Sequence, residues 1–168
     1  MKKQLTSLFL ILTIIYFALF SIKLYAKDPW ATAIEGDKII LIRHALAPGG
    51  GDPPGFKIDD CKTQRNLNKV GIQQSKNIGK LFKKNKIPVD KVLSSQWCRC
   101  KDTAKYAFEK YKTFYALNSF FSEKFQKNRK SQMTDLSNFL KKWDDEKNLV
   151  LVTHYVVILD IANQPVSS

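Results

Sequence analysis

Along this chain, short apolar runs without a helical period alternate with longer stretches in which apolar residues recur every three or four positions. Lys38 to Ile42 is such a run, β-branched and brief, and predicts a buried strand whose carboxyl end delivers Arg43 and His44. The segment Pro48-Gly49-Gly50-Gly51-Asp52-Pro53-Pro54-Gly55 that follows suits neither a helix nor a central strand and predicts a loop above His44. Asn68 suits a helix N-cap, with Ile72, Gly79 and Phe82 on one face of a helix reaching about Lys84. Val89 to Ser94, entered through Pro88, predicts a second strand, and Thr103, Ala104, Ala107, Phe108 and Tyr111 recur behind it at helical spacing. A third strand is expected from Phe114 to Leu117, then a helix with Met133, Leu136, Leu140 and Trp143 on one side. Leu149 to Thr153 predicts the last clear strand and ends at His154. Strands that alternate with helices imply one α/β domain, a three-layer α/β/α arrangement around a mostly parallel sheet.

Ahead of this pattern, Lys2 and Lys3 precede an uncharged run from Gln4 to Ile22 with no polar face. Residues 1–26 are expected to be either a signal peptide or an N-terminal membrane anchor, with 27–168 as the domain. Cleavage after Ala26 would place Leu24 where a small residue is usual, so the choice stays open. Both alternatives put the domain outside the cytoplasm, in the periplasm or cell envelope, touching membrane only through that segment. Cys61, Cys98 and Cys100 would then meet an oxidising compartment. A Cys98–Cys100 link is strained, so Cys61 is expected to pair with one of the two and leave one thiol free.

Charge adds less than its size suggests. The chain has 28 Lys plus Arg against 15 Asp plus Glu, an excess that attracts anions without choosing among them. The lysines are scattered and accompany no DNA- or RNA-reading motif, so a solvated basic surface is preferred to nucleic-acid binding. The C-x-C spacing and the isolated His44 and His154 match no usual zinc pattern, and no metal or other cofactor is expected.

The chemistry is concentrated at strand ends. Arg43-His44, Arg99 and His154 each follow a predicted strand, which places all of them at the carboxyl edge of one sheet, where open α/β folds bind ligands. Two guanidiniums and two imidazoles are costly to gather without an anion between them, and a phosphoryl group is such an anion. Arginine forks suit its equatorial oxygens, a neutral His44 nitrogen suits in-line attack, and His154 suits oxygen stabilisation.

Leu41-Ile42-Arg43-His44-Ala45, then Leu93-Ser94-Ser95-Gln96-Trp97-Cys98-Arg99-Cys100-Lys101-Asp102-Thr103-Ala104, then Val152-Thr153-His154, in that order and spacing, resemble the histidine phosphatase superfamily, the phosphoglycerate mutase-like group. The resemblance implies that His44 is phosphorylated and that Arg43, Arg99 and His154 complete the phosphate pocket. Two departures stand out in the site. Ala45 replaces the usual glycine, and Leu117-Asn118-Ser119 stands where many members carry a glutamate that protonates the leaving group. Glu123 is the first substitute for that acid and Asp52 the second. Small phosphohistidine phosphatases also lack the acid, because a phosphoramidate nitrogen is easily protonated. The family usually has a strand after the helix that follows the second histidine, and with Val166-Ser167-Ser168 as the last residues two alternatives stay open: a sheet shorter by that strand, or a truncated sequence. The expected function is a metal-independent phosphatase acting on a small anionic phosphomonoester or phosphoramidate. A noncatalytic phosphate-binding domain of the same fold is the alternative.

Overall fold

The structure, a computed structural model, describes residues 28–162. The expectations for residues 1–26 and for a strand after the last helix fall outside the described residues. Among the described residues no helix is long and apolar enough to cross a membrane. Among the described residues four strands, β1 (Ile39–Arg43), β2 (Val89–Ser94), β3 (Lys112–Thr113) and β4 (Asn148–Thr153), form one sheet in the order β1-β4-β2-β3, with every pair parallel. The helices are α1 (Pro29–Ile34), α2 (Lys69–Lys84), α3 (Cys98–Phe108), α4 (Glu123–Gln126), α5 (Arg129–Lys141) and α6 (Tyr155–Ala162).

The sheet is central because its inner strands are apolar on both faces. In β4 every residue is buried. Alternation sends Val150 and Val152 to one side, against Phe82 of α2 and Cys100 and Ala104 of α3, and Leu149 and Leu151 to the other, against Leu136 of α5 and Val157 of α6. β1 alternates likewise, with Ile40 and Ile42 on the first side and Leu41 on the second. Each such side chain contributes about 1.5–3 kcal/mol by leaving water, and the two apolar layers make the expected three-layer α/β fold. At the amino-terminal end of the sheet the buried Asn148 side chain donates to the Ala33 and Pro88 carbonyls, each at 2.7 Å, and accepts from the Lys38 N–H at 3.1 Å. One amide thereby satisfies three backbone groups where α1, β1 and β2 converge.

Asn68 caps α2 through its side-chain oxygen, which accepts from Gly71 N–H at 2.8 Å. The third strand is shorter and earlier than the sequence predicts. β3 pairs with β2 only through Lys112 and Thr113, and Tyr115–Leu117 is a 3-10 turn. Phe114 still donates to the Ser94 carbonyl at 2.8 Å, and the chain then turns so that Ala116 and Leu117 bury under α5. Apolarity at those positions reports burial, not an extended backbone. Tyr111 and Trp143 likewise lie just past the ends of α3 and α5, although both pack on the core.

Gly79 sets the spacing of α2 and α3, because a Cβ there would collide with the Ala107 backbone carbonyl. Gly79→Ala is expected to lower the unfolding free energy by about 1–3 kcal/mol, the usual range for overpacking. Alanine is by about 1 kcal/mol the better helix former, so a urea titration showing the variant more stable would mean that the two helices have room to separate there.

Candidate active site

The carboxyl ends of three strands supply the site. Each ladder continues one step past its strand: His44 N–H donates to the Thr153 carbonyl and Ser95 N–H to the Val152 carbonyl, both at 2.9 Å. His44 and His154 are thereby held side by side, with ring centroids 5.5 Å apart. Ala45 N–H donates to Thr103 Oγ at 3.0 Å, and Thr103 donates to the Arg99 carbonyl at 2.7 Å, which ties the first motif to the first turns of α3. Among the described residues only Asp37, Lys86 and Glu109 combine a side chain with positive φ, so Ala45 needs no glycine-only conformation.

The segment between β1 and α2 is irregular but pinned to α3. A Cys61–Cys98 disulfide joins them, Gln64 Oε1 accepts from Cys98 N–H at 2.9 Å, and Phe56 stacks on Trp97 with centroids 5.1 Å apart. The expected pairing of Cys61 with one of the later cysteines thus resolves to Cys98, and Cys100 is the free thiol. Burial pushes the Cys100 thiol up to about 12, so it is a packed, unreactive group beside His154 Nε2, at 3.4 Å. Three of the loop's glycines, Gly49, Gly51 and Gly55, adopt positive φ (95°, 69° and 80°), and Asp52 follows the first two into the site.

A cavity of about 240 Å³ opens here. Arg43, His44, Asp52, Arg65, Arg99 and His154 all line it. Three guanidiniums against one carboxylate leave two surplus positive charges, the complement of a phosphoryl dianion. Asp52 Oδ1 accepts from Arg99 Nη1 at 2.6 Å, and its Oδ2 accepts from Arg99 Nη2 at 3.4 Å and Trp97 Nε1 at 2.9 Å. Burial pushes the Asp52 carboxyl upward, but these bonds and the Arg99 charge outweigh it and hold the group below its ordinary range. The Nε atoms of Arg65 and Arg99 are buried and make no hydrogen bond among the described residues.

His44 is neutral. Burial, and secondarily the Arg99, Arg65 and Arg43 charges, lower its pKa to about 4, against the partial opposition of its bond to the Ala45 carbonyl. That carbonyl can only accept, so the 2.8 Å contact puts the ring proton on Nδ1 and leaves Nε2 with a free lone pair. His154 is neutral for the same reasons, burial first and then the arginine and His44 charges. Its Nε2 lies 2.9 Å from Ser95 Oγ, which donates in turn to Asn118 Oδ1 at 3.1 Å.

The structure therefore gathers Arg43, His44, Arg99 and His154, the four residues the sequence nominates. It does not bring Glu123 to them: this residue is exposed at the start of α4 and does not line the cavity, although Ser122 and Phe125 beside it do. Asp52, the second nominee, is the carboxylate that arrives. Asn118, in the stretch where the family's glutamate is sought, is occupied in binding Ser95, Gln96 N–H and the Gln96 side chain. Arg65 was not anticipated. It donates to the Ala47 carbonyl and, at 3.0 Å, to the Gly49 carbonyl, shaping the loop while facing the cavity. A lone arginine in an irregular segment carries no local signal, and only the disulfide framework hinted that this stretch folds back onto Arg99.

The family model for the histidine phosphatase superfamily, branch 1, matches residues 39–125, and the chain belongs to that superfamily. Similar solved structures include the protein histidine phosphatase SixA complexed with tungstate (15% identity, TM-score 0.55), which covers 74% of this chain and is itself 73% covered. A putative phosphohistidine phosphatase SixA from Agrobacterium tumefaciens (20%, TM-score 0.52) covers 74% of this chain and is 74% covered. A putative alpha-ribazole-5'-P phosphatase from Escherichia coli (17%, TM-score 0.55) covers 74% and is 76% covered. No curated protein matches the chain by sequence. At these identities the structures share the fold.

The neutral histidines make stability pH-dependent. His44 binds its proton near pH 4 when folded and near 6.5 when unfolded, so its contribution is complete above about 6.5 and is lost as pH falls towards 4. The loss is about 3 kcal/mol for His44, and the lowered pKa of His154 adds in the same direction. Denaturant titrations at pH 7.5 and pH 4.5 should show this drop, and His44→Gln, which cannot titrate, should show a smaller one.

Proposed function

We propose that the protein is a metal-independent phosphatase that hydrolyses a phosphomonoester or phosphoramidate through a phosphohistidine at His44, and that it works outside the cytoplasm. The observation that carries this reading is the pinned tautomer of His44: an uncharged imidazole with a free Nε2 lone pair, in a cavity that carries three guanidiniums. A phosphoryl group seated there would give the unpartnered Nε–H groups of Arg65 and Arg99 their acceptors, and the guanidiniums supply the positive charge that a metal ion provides elsewhere. Nε2 attacks phosphorus, the leaving group departs with the electron pair, and water later displaces the imidazole. With Nε2–H of His154 directed at Ser95, its Nδ1 is left as an acceptor 3.5 Å from Arg99 Nη2. An arriving anion reverses the charge around that nitrogen and favours a second proton there, which can bond a phosphoryl oxygen.

The similar structures are a protein histidine phosphatase in complex with tungstate, a phosphate-like oxyanion, a putative phosphohistidine phosphatase and a putative alpha-ribazole-5'-P phosphatase. Their leaving groups differ while phosphoryl removal is common to them, which supports the reaction class here and leaves the natural substrate open between ester and phosphoramidate. The Cys61–Cys98 disulfide supports an oxidising, exported setting. A binding-only domain is the second reading, favoured by Asp52 occupying two donors of Arg99.

Hydrolysis of an aryl phosphate by the full chain, with and without chelator, separates the two. The phosphatase should turn over in chelator, form an acid-labile phosphoenzyme, and lose at least about 10³-fold in kcat in His44→Ala. A folded protein that binds tungstate but gives neither turnover nor phosphoenzyme would be the binding-only domain.

A further inference from the structure

An ester's leaving oxygen needs a proton as it departs, and this site has one carboxylic acid to give it. Among the described residues Asp52 is the only carboxylate that lines the cavity. It holds the Nη1 and Nη2 donors of Arg99 and the indole N–H of Trp97. Those guanidinium donors are the ones a phosphoryl group would claim, and the carboxylate and the substrate therefore compete for one cation. Asp52 also has freedom to yield, because the loop preceding it is glycine and uncrowded: a Cβ at Gly50 or Gly51 would meet nothing within 4 Å.

We propose that Asp52 is the proton donor to the leaving group, and that the incoming phosphoryl group prepares it for that role by displacing it from Arg99. The inference rests on the phosphatase reading above. In the free site the Arg99 and Trp97 bonds outweigh burial and keep Asp52 ionised. Once the anion holds Arg99, burial remains, the counter-charge is taken, and negative oxygens stand beside the carboxylate, all of which favour its protonated form. Asp52 thus takes up a proton from solvent, and becomes an acid, only when substrate is present.

The steps balance. His44 Nε2 forms the N–P bond, the P–O bond to the leaving group breaks with its electron pair on oxygen, and that oxygen takes the Asp52 proton to leave as the alcohol. Water then forms a P–O bond and gives one proton to the Asp52 carboxylate while the N–P electrons return to His44. Hydrogen phosphate departs, and Asp52 and His44 regain their starting forms.

The test is leaving-group dependence in the full chain, using nitrophenyl, phenyl and ethyl phosphates with wild type and Asp52→Asn. Asparagine can still accept from Arg99 and Trp97 but has no acidic proton. Loss of a donor should reduce kcat/KM by about 10²–10³-fold for ethyl and phenyl phosphate and by less than about tenfold for nitrophenyl phosphate, whose phenolate leaves unaided. Tungstate should bind Asp52→Asn more tightly than wild type, since a neutral amide is easier to displace. Equal losses across the three esters would reduce Asp52 to a positioning residue and overturn the proposal, as would weaker tungstate binding by the variant. Wild type offers a test independent of the variant's folding: its kcat/KM should vary little across the series, and a steep fall with leaving-group basicity overturns the donor. No turnover of any ester or of phosphoramidate by wild type would remove the phosphatase reading and this proposal together, whereas turnover of phosphoramidate alone, or of the esters with equal losses, removes only the latter.

Discussion

The parallel pairing of β4 with β1 on one side and β2 on the other is the constraint from which the site follows. β4 is buried on both faces, so its backbone groups have no water to bond and must be satisfied by neighbouring strands. Parallel neighbours end at the same edge. Arg43 pairs with Thr153 and Ser94 with Val152, and the chain after each strand emerges within reach of the others. Packing of valine and leucine, which involves none of the reactive groups, thereby fixes the distance between the two imidazoles and brings the first turn of α3 beside them.

Gathering so much positive charge in a partly closed site is tolerable because the groups divide the burden. Both histidines are deep enough that burial and the arginines keep them uncharged. Asp52 neutralises Arg99, the most deeply buried of the three guanidiniums, and Arg65 spends its Nη1 on loop carbonyls. What remains is a surplus that a dianion matches. The same arrangement leaves His44 uncharged at neutral pH, when an exposed histidine would be partly protonated.

Much of this was legible in the sequence, for identifiable reasons. The apolar run of β4 could only be a strand buried on both faces, and Asn68 followed by Ile72, Gly79 and Phe82 marked both the start of α2 and its inner side. The three strand-end motifs bring Arg43, His44, Arg99 and His154 to one cavity because a parallel sheet aligns strand ends whatever the loops do. β3 was misplaced because Phe114 to Leu117 is apolar for a different reason: the chain has left the sheet and buries Ala116 and Leu117 from a turn. Glu123 was nearer in sequence to the expected acid position, but the 119–126 stretch turns that side chain to solvent. Asp52 lies 47 residues from its Arg99 partner, and Arg65 depends on a disulfide and on Gln64 for its place. Contacts of that span, made by loops without a period, leave no local trace.

The position of the cysteines around Arg99 has a consequence for how the chain matures. On a helix successive residues are turned by about 100°, so Cys98 and Cys100 face nearly opposite directions. Cys98 meets Cys61 of the loop, while Cys100 faces the interior beside His154. Oxidative folding thus begins with three thiols and only one productive choice. If Cys61 were captured by Cys100, the start of α3 would have to roll by about 160°, nearly half a turn, carrying Arg99 between them away from Asp52 and the two histidines. The register of a single covalent bond therefore selects between an assembled cluster of arginines and histidines and a dismantled one, as directly as any substitution in the cavity.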